Sequence, residues 1–590
     1  MTEPLFAPQS RPVGRVIDDV EEGRIGLPDL QRPFVWEDKD VRNLLDSMIK
    51  GYPIGYCILW EAPDDQEDKV GQIGFNAKNF IAPKELVIDG QQRLTALMSA
   101  LRGIAVKDKS FKTRTIVIAY NPRKRRFHTY DAAIAKDPAY IADISELFKA
   151  KRDNNLSAFR RSFVSRINES NEKKGLPALD AVAEDEIENG INELLSIETN
   201  YQMPILTISN RADEEEMSEI FVRVNSGGTK LNEDDFIMTL LSVYGPDMRQ
   251  AIECFAEQSR QPMPGTSYNA LLDVKSSHLI RSTVGLGFRR GRLRYARLIL
   301  NGKDLATRET SPTIREQNFT VFRESLNQVM NLNDWHGFIN SLGEAGYINS
   351  GMISSENSIP LTYSLYLIGK HQFGLSPTNL QRFARRWYFM AALTSMYAGS
   401  YESVFESQLN AIHECQNEAD FQKWYENEIS ARLTGDYFEI TLPGIFDAAW
   451  AKGPSWNAFL ASQIILGGKV LFNTQPISQL LTPGSSGNKK SYDKHHIFPD
   501  AFMRKTNLAH LRNKRANFVC IDYQNNIDIS DDPPEDYVPR YREMLGEEFY
   551  LQTCRDNALP VDFENMGPDE FLEKRRFLMA SLVKDAFMRL

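Results

Sequence analysis

The amino-acid sequence predicts a multidomain α+β protein. Its 590 residues exceed what one hydrophobic core organises, since domains commonly contain about 100 to 200 residues. Short apolar runs typical of strands occur near both ends, whereas residues 241–450 show helical spacing and few strand signals. We therefore expect an N-terminal domain over residues 1–240, a helical connecting domain over 241–450 and a C-terminal domain over 451–590.

Composition excludes several classes of protein. A hydrophobic content of 42% with 25% charged residues is ordinary for a globular chain, and no apolar run approaches the ~20 residues that a membrane helix needs. The first residues lack the pattern of a signal peptide, so we expect a cytoplasmic protein without a membrane partner. Five scattered cysteines without a C-x-x-C pair indicate neither a disulfide framework nor a cysteine zinc site. The net charge of -10 implies that any nucleic acid binds a local basic patch.

Residues 85–97 predict a strand, an Asp-Gly turn and an amphipathic helix. One interpretation is structural: Asp89 caps the helix, and Gln92, three residues later, completes a capping box. It leaves Arg93 unexplained, because an arginine in the first turn opposes the helix dipole unless an anion lies there. A strand end, a glycine turn, free helix amides and an arginine together favour a phosphate site. The spacing alone leaves both interpretations open.

Two basic stretches lie in the middle of the chain. The first contains six arginines within 17 residues and the second contains three: Arg281, Arg289, Arg290, Arg292, Arg294 and Arg297, then Arg382, Arg385 and Arg386. A basic stripe of this kind predicts contacts to DNA phosphates, which set affinity without reading sequence. The alternative is a charged helix face paired with acidic residues elsewhere, and the sequence supports it equally.

The C-terminal stretch 491–530 contains a pair of histidines, His495 and His496, and two spaced asparagines, Asn517 and Asn526. Cutting a phosphodiester requires a base that activates water and a divalent ion held by oxygen or imidazole ligands. Adjacent histidines on an extended segment point in opposite directions, so one can face a metal ion and the other the attacking water. The alternative interpretation is a surface histidine pair beside turn asparagines.

Further features of this stretch support a nuclease site. Residues 518–521 predict a second strand, and residues 525–530 predict a helix or turn that returns an amide oxygen to the metal ion. Lysines and arginines cluster around it in sequence, and Lys514 and Arg515 are candidate DNA contacts. The sequence thus predicts a hairpin and a helix around one metal ion.

The sequence His-Ile-Phe-Pro at 496–499, Asn517-Phe518 before a strand, and Asn-x-x-Ile-Ser at 526–530 resemble the HNH, or ββα-metal, nuclease motif. The resemblance implies that His496 is the general base, that Asn517 braces the loop, and that His495 and Asn526 bind Mg²⁺ or Mn²⁺. His495 takes a place often held by Asp, a departure that leaves the metal preference open.

Three N-terminal segments, residues 31–36, 88–95 and 221–231, resemble the signatures of one domain. It is the N-terminal domain of GmrSD-type modification-dependent (type IV) restriction enzymes, with a fold similar to ParB and sulfiredoxin. In that family the Asp-Gly-Gln-Gln-Arg motif is tied to binding and hydrolysis of ATP or GTP. The resemblance implies a nucleotide site that comprises Arg32, Asp89, Gly90, Gln91, Gln92, Arg93, Asn225, Gly227 and Gly228.

Together, the two resemblances predict an NTP-regulated, divalent-metal-dependent endonuclease. It would cleave modified double-stranded phage DNA as a type IV restriction enzyme in anti-phage defence. Two alternatives are a structure-specific or RNA-directed HNH nuclease and a nucleotide-gated DNA-binding regulator in which the HNH part is a degenerate scaffold. Homodimerisation is left open by the sequence, as are the modified base and the preferred nucleotide.

Overall fold

The computed structural model describes the chain in fifteen ranges: residues 5–28, 34–61, 70–71, 84–107, 113–211, 220, 237–238, 241, 246–260, 269–300, 302–305, 307–309, 311–483, 492–505 and 508–590. They divide into two compact units, Met1–Glu253 and Cys254–Leu590. The second unit includes the predicted C-terminal domain and the predicted connecting domain from residue 254 onward, and the boundaries at 240 and 450 stay predictions. The mixed α+β class is confirmed. No helix in the described part is long and apolar enough to cross a membrane.

A mixed six-stranded sheet forms the centre of the first unit, in the order β1-β10-β3-β5-β2-β4. Two small hairpins, β6-β7 and β8-β9, accompany it. The strands of this unit are β1 (Phe6–Pro12), β2 (Ile25–Pro28), β3 (Cys57–Glu61), β4 (Val70–Gly71), β5 (Glu85–Asp89), β6 (Val106–Lys107), β7 (Thr113–Arg114), β8 (Ile118–Asn121), β9 (Arg126–Thr129) and β10 (Gln202–Ile208).

Helices cover one face of this sheet. They are α1 (Val13–Glu21), α2 (Asp38–Ile49), α3 (Gln91–Arg102), α4 (Ile144–Arg152), α5 (Leu156–Lys173) and α6 (Ala181–Asn200). Alternate residues of a strand point to opposite faces, so Leu59 and Val87 join the large helical core while Ile58 and Ile88 join a smaller cluster. The sheet therefore fixes the end of β5, from which the predicted nucleotide motif starts.

From residue 246 onward the described chain is mainly helical. The helices are α7 (Pro246–Gln258), α8 (Ser276–Phe288), α9 (Arg294–Leu300), α10 (Pro312–Val329), α11 (Leu332–Glu344), α12 (Ser358–Phe373), α13 (Pro377–Leu393), α14 (Tyr401–Ile412), α15 (Glu418–Arg432), α16 (Leu442–Phe446), α17 (Pro454–Ile465), α18 (Ile477–Leu481), α19 (Asp500–Lys505), α20 (Tyr523–Ile529), α21 (Pro534–Leu545), α22 (Glu547–Asp556) and α23 (Pro568–Arg589).

Local sequence explains where several of these helices begin. Ser311 and Ser376 each accept a hydrogen bond from a backbone amide of the first turn, and a proline follows each serine at the first helical position. Residues 358–369 of α12 are all buried, which makes α12 the central helix of the second unit. Aromatic rings pack beside it, with the rings of Trp335 and Tyr363 edge to face at 5.0 Å.

The last part of the second unit contains a two-stranded antiparallel hairpin, β11 (Tyr492–His496) and β12 (Phe518–Asp522). Helix α20 follows β12 directly. The long helix α23 packs against α17 and carries its apolar side chains inward, including Phe571, Met579 and Val583. These helices hold the hairpin and α20, which carry the histidines and asparagines singled out in the sequence.

Candidate functional site

The hairpin places the two histidines in opposite directions. In the register of β11 and β12, His495 lies opposite Val519 and His496 lies opposite Phe518. His495 is buried, whereas His496 is half-buried. The neighbouring imidazoles therefore have different surroundings and different partners.

His495 faces the helix that follows the hairpin. Its Nδ1 atom lies 2.8 Å from Oδ1 of Asn526, 31 residues further along the chain. Asp522 caps α20 by accepting a hydrogen bond from the backbone amide of Asn525 at 2.9 Å, which fixes the first turn and so the position of Asn526. The structure thus brings together the two predicted metal ligands.

The contact between His495 and Asn526 suits a divalent cation. An imidazole nitrogen and an amide oxygen that lie 2.8 Å apart can both bind one ion, and both atom types are ligands for divalent metals. Within the described ranges, no group of three or more His, Cys, Asp or Glu side chains could hold a metal ion.

His496 faces the opposite side of the hairpin. Its Nε2 atom lies 3.3 Å from Oδ1 of Asn513, and its ring packs on Phe518 with the centroids 4.3 Å apart. Burial lowers the pKa of His496 below its ordinary value, although the Asn513 contact and the nearby Asp500 act in the opposite direction. The imidazole is therefore neutral at pH 7, which is the form that accepts a proton.

Asn517 ties together the two segments that flank the hairpin. It is fully buried. Its Oδ1 accepts a hydrogen bond from the Phe498 amide at 2.9 Å, and its Nδ2 donates to the carbonyl oxygens of Phe498 and Arg512 at 3.0 and 2.9 Å. These bonds hold the chain after His496 against the chain before β12.

Three residues near this site were not singled out in the sequence. Asn513 contacts His496, and Tyr537 donates a hydrogen bond to the Ile497 carbonyl at 3.0 Å. Arg575 is fully buried and donates to the Ala516 carbonyl at 2.7 Å. For Arg575 a signal was present, because a charged residue lies between Leu572 and Met579 on the apolar face of α23.

The structure gives Arg515 a different role from the predicted DNA contact. Its side chain is buried, and its guanidinium donates to the carbonyl oxygens of Ile445, Trp450 and Lys452 at 3.0 to 3.1 Å. A guanidinium that is buried and already hydrogen-bonded has no surface to offer a phosphate. Lys514 stays partly exposed and forms an ion pair with Asp447 at 2.8 Å.

Two of the six arginines of the first basic stretch are seen paired with acidic residues, which favours the alternative of a charged face for this part. Arg281 lies 2.6 Å from Glu402, and Arg290 lies 3.5 Å from Glu406. The other predicted DNA contacts have these neighbours: Arg289 is hydrogen-bonded to Gln372, Arg292 lies 3.4 Å from Ser403, and Arg294 is exposed beside Tyr295. DNA contacts by this stretch stay a prediction.

In the first unit, the predicted capping box at the start of α3 is wrong. The N-terminal cap is Gly90, with φ at +96°, and no side chain caps the helix. Asp89 pairs with Ile58 in the sheet, so its backbone belongs to β5. Gln92 is buried and accepts a hydrogen bond from the Val35 amide at 2.9 Å, away from the helix start.

Arg93 wraps around the turn before β3. Its guanidinium donates to the carbonyl oxygens of Ile54 and Tyr56 at 2.8 and 2.7 Å and lies 3.3 Å from the Asp89 carboxylate. Gly55 fits between these carbonyls because a Cβ atom there would lie 2.3 Å from Nη1 of Arg93. Arg93 therefore has a structural role at the strand–helix turn, and a phosphate contact by it stays a prediction.

The structure brings Asp89, Gly90, Gln91, Gln92 and Arg93 together at one turn. The remaining predicted nucleotide-site residues, Arg32, Asn225, Gly227 and Gly228, lie outside the described residues. The N-terminal cap of α3 is a glycine, which brings no side chain to the helix start and so is compatible with an anion there. The full predicted site is thus seen only in part.

The first unit, with its mixed sheet and helical cover, contains the residues that are similar to a known family. Residues 13–242 match the family described as "GmrSD restriction endonuclease, N-terminal domain", and this range lies within the first unit. Over residues 13–242 the chain is therefore similar to restriction endonucleases, which are enzymes that act on DNA.

One curated relative is similar along most of the chain. It is the uncharacterized protein MJ0686 of Methanocaldococcus jannaschii, which is 21% identical over 563 residues. The similarity covers 89% of this chain and 85% of the relative, so it includes the second unit as well as the first. The name of this relative assigns no activity.

Proposed function

We propose that the chain is a divalent-metal-dependent DNA endonuclease and that its cutting site is an HNH-type site made by β11, β12 and α20. The observation that carries this proposal is the pair of opposed histidines. His495 lies against Asn526 at 2.8 Å on one side, and the half-buried His496 lies on the other side. The match of the first unit to a restriction endonuclease family supports DNA as the substrate.

Each residue of the site has a distinct task in this reaction. His495 and Asn526 would hold Mg²⁺ or Mn²⁺, and a bound ion supplies charge stabilisation for the scissile phosphate. The Asn513 oxygen near Nε2 favours the His496 tautomer with a proton on Nε2, which leaves Nδ1 as the proton acceptor. Water attacks phosphorus, its proton passes to Nδ1 of His496, the phosphorus–oxygen bond to the leaving strand breaks, and the leaving oxygen takes a proton from solvent. Asn517 keeps the flanking segments in place during this step.

The first unit is proposed to bind and hydrolyse ATP or GTP and thereby to regulate cutting. Support comes from the turn between β5 and α3. Gly90 is the N-terminal cap and brings no capping side chain to the helix start, and the Asp89 side chain is 41% exposed beside Arg93. Helix amides attract phosphate groups. We further propose that the preferred substrate is modified phage DNA and that the enzyme acts in type IV restriction.

Cleavage assays with His496→Ala test the nuclease proposal. The wild-type chain is expected to cut DNA only with Mg²⁺ or Mn²⁺, and the variant is expected to lose at least about 100-fold in rate, since general bases commonly contribute that much. His413→Ala is the matched control, because His413 is an exposed histidine of the same unit and is expected to leave the rate unchanged.

The substrates in this assay separate the alternatives. Modified and unmodified duplex DNA are compared with single-stranded RNA, with and without ATP or GTP. A preference for modified DNA supports restriction, and a preference for RNA supports an RNA-directed nuclease. Cutting that survives His496→Ala would refute the proposed site. Nucleotide-dependent DNA binding without any cutting would indicate a regulator with a degenerate HNH scaffold.

A further inference from the structure

Trp450 is an exposed aromatic side chain next to the proposed cutting site. The chain has seven tryptophans, all within the described residues, and Trp450 alone falls in the exposed class, with 51% of its surface accessible. Its backbone has φ at +68°, in the left-handed region that non-glycine residues rarely adopt. A large ring held at the surface in this conformation requires strong anchoring of its backbone.

A short ladder of backbone hydrogen bonds provides part of this anchoring. The Trp450 amide donates to the Asn513 carbonyl at 2.7 Å, and the Arg515 amide donates to the Ala448 carbonyl at 2.8 Å. Between these bonds, Ala449 and Lys514 form an antiparallel bridge. Residues 448–450 are thereby fixed to residues 513–515, which lead directly into Asn517 and β12.

The buried Arg515 side chain adds further anchoring. Its guanidinium donates to the Trp450 carbonyl at 3.1 Å, to the Ile445 carbonyl at 3.1 Å and to the Lys452 carbonyl at 3.0 Å, and Ser455 Oγ lies 2.5 Å away. Four contacts from one side chain hold the segment 445–455 in one conformation. The backbone that carries the Trp450 ring is thus already ordered, so binding of a ligand to the ring loses little further conformational entropy.

A single residue connects Trp450 with the proposed general base. Asn513 contacts Nε2 of His496 through its side chain and accepts the Trp450 amide hydrogen through its carbonyl. The charged side chains along the two anchored segments are mostly basic. Lys452 and Lys494 are exposed, Lys514 lies 2.8 Å from Asp447, and Arg576 lies 3.7 Å from Asp447 and 3.8 Å from Glu573, which makes four cations and two carboxylates. In a chain with a net charge of -10, this local excess of cations favours a polyanion.

We propose that Trp450 stacks on a nucleobase that is displaced from the helical stack beside the scissile phosphate. An exposed aromatic ring surrounded by cations is the combination that binds unstacked bases, and it tolerates every base because each has a π face. The assignment rests on the proposed function, since it takes DNA as the ligand. It adds a positioning contact that would hold the cut strand next to His496.

DNA affinity measured by fluorescence anisotropy tests this assignment. A labelled DNA duplex with an internal unpaired base is titrated with Mg²⁺ present, and every protein carries His496→Ala so that no cutting occurs. Trp450→Ala is expected to weaken binding about 5-fold to 100-fold, the range of one lost base–aromatic stack, and Trp450→Phe is expected to restore most of it. Tyr130→Ala, at an equally exposed aromatic side chain of the other unit, is the control and is expected to bind normally.

Tryptophan fluorescence gives a second measurement. Acrylamide quenching of the wild-type chain is expected to decrease when DNA is bound, and this protection is expected to be absent in Trp450→Ala. If Trp450→Ala bound DNA as tightly as the parent chain, the stacking assignment would be wrong while His496-dependent cutting would still uphold the nuclease. If binding depended on Trp450 but the chain with His496 intact cut no DNA, the stacking contact would stand and the nuclease proposal would be refuted. Absence of all DNA binding would refute both.

Discussion

Arg575 brings a positive charge into the interior of the second unit, where its side chain is fully buried. It donates to the carbonyl oxygens of Ala516 at 2.7 Å and Asn557 at 3.3 Å. Burial lowers the pKa of Arg575, although an arginine still remains charged at pH 7. Its two contacts join α23 to the residue before Asn517 and to the end of α22. This one side chain therefore helps to hold the segment that carries Asn517.

Replacing Arg575 by Met is expected to destabilise the second unit. Two buried carbonyl oxygens would lose their donor, and the relief from burying a charge offsets only part of this cost, so the expected loss is about 2 to 4 kcal/mol. Urea-induced unfolding measures it. Lys574→Met is the control on the same helix, because Lys574 is half exposed and is expected to change stability by less than about 0.5 kcal/mol. Equal midpoints for the two variants would contradict the supporting role of Arg575.

At the scale of the elements, the hairpin and its helix could be expected from the sequence. Alternation and the motif spacing place strands and a helix at residues 518–521 and 525–530, and β12 and α20 lie there. The partners of Arg515 and Arg575 could not be expected, because they lie between 18 and 70 residues away in sequence. Local patterns determine which face of an element is apolar, whereas such partners depend on how distant segments pack.

The start of α3 shows why a local rule can fail. Asp89 followed by Gln92 has the spacing of a capping box, which requires the capping residue to lie at the helix boundary. Pairing of Asp89 with Ile58 keeps Asp89 in the sheet, so the boundary moves to Gly90, whose φ of +96° turns the chain into the helix. The requirement of the sheet therefore overrides the local capping preference.

Gly90→Ala is expected to disrupt this turn. A Cβ atom at Gly90 would lie 3.1 Å from Sγ and 3.2 Å from Cα of Cys57, and the positive φ adds strain. Gly51→Ala is the matched control, since Gly51 has φ at +70° and no atom within 4 Å of the added Cβ. We expect Gly90→Ala to cost about 1 to 3 kcal/mol more than Gly51→Ala, the range for overpacking. Thermal unfolding of the first unit measures the difference, and equal losses would show that the backbone conformation alone matters.

At the scale of the whole molecule, the chain is acidic, but the fraction of its cations that pair with carboxylates differs from one region to another. Arg281 and Arg290 form ion pairs with Glu402 and Glu406, which neutralises part of the charge of the first basic stretch. Around residues 447–452 and 514, by contrast, cations outnumber carboxylates beside the proposed cutting site. Local charge excess, and not net charge, therefore determines where DNA is expected to bind.

The whole-molecule proposal also requires that a nucleotide in the first unit changes cutting by the second. Asp89→Ala removes the exposed carboxylate at the strand–helix turn, where it lies 3.3 Å from Arg93. We expect this variant to bind ATP or GTP at least about 10-fold more weakly, because the carboxylate would accept a charge-assisted hydrogen bond from a sugar hydroxyl of the nucleotide, which contributes roughly 1.5 to 3 kcal/mol. The difference between cutting rates with and without nucleotide is then expected to disappear.

Asp46→Ala is the matched control for this prediction. Asp46 lies in the same unit, is similarly exposed, and also pairs with a cation four residues later, Lys50 at 2.6 Å. It is far in sequence from the Asp-Gly-Gln-Gln-Arg motif, so we expect its variant to bind nucleotide and to respond to it as the wild-type chain does. Fluorescent-nucleotide titration and parallel cleavage assays measure both properties. If Asp89→Ala still bound nucleotide and responded to it fully, the regulatory site would have to lie elsewhere in the chain. A carboxylate whose removal changes neither nucleotide binding nor the response of cutting is not part of that site.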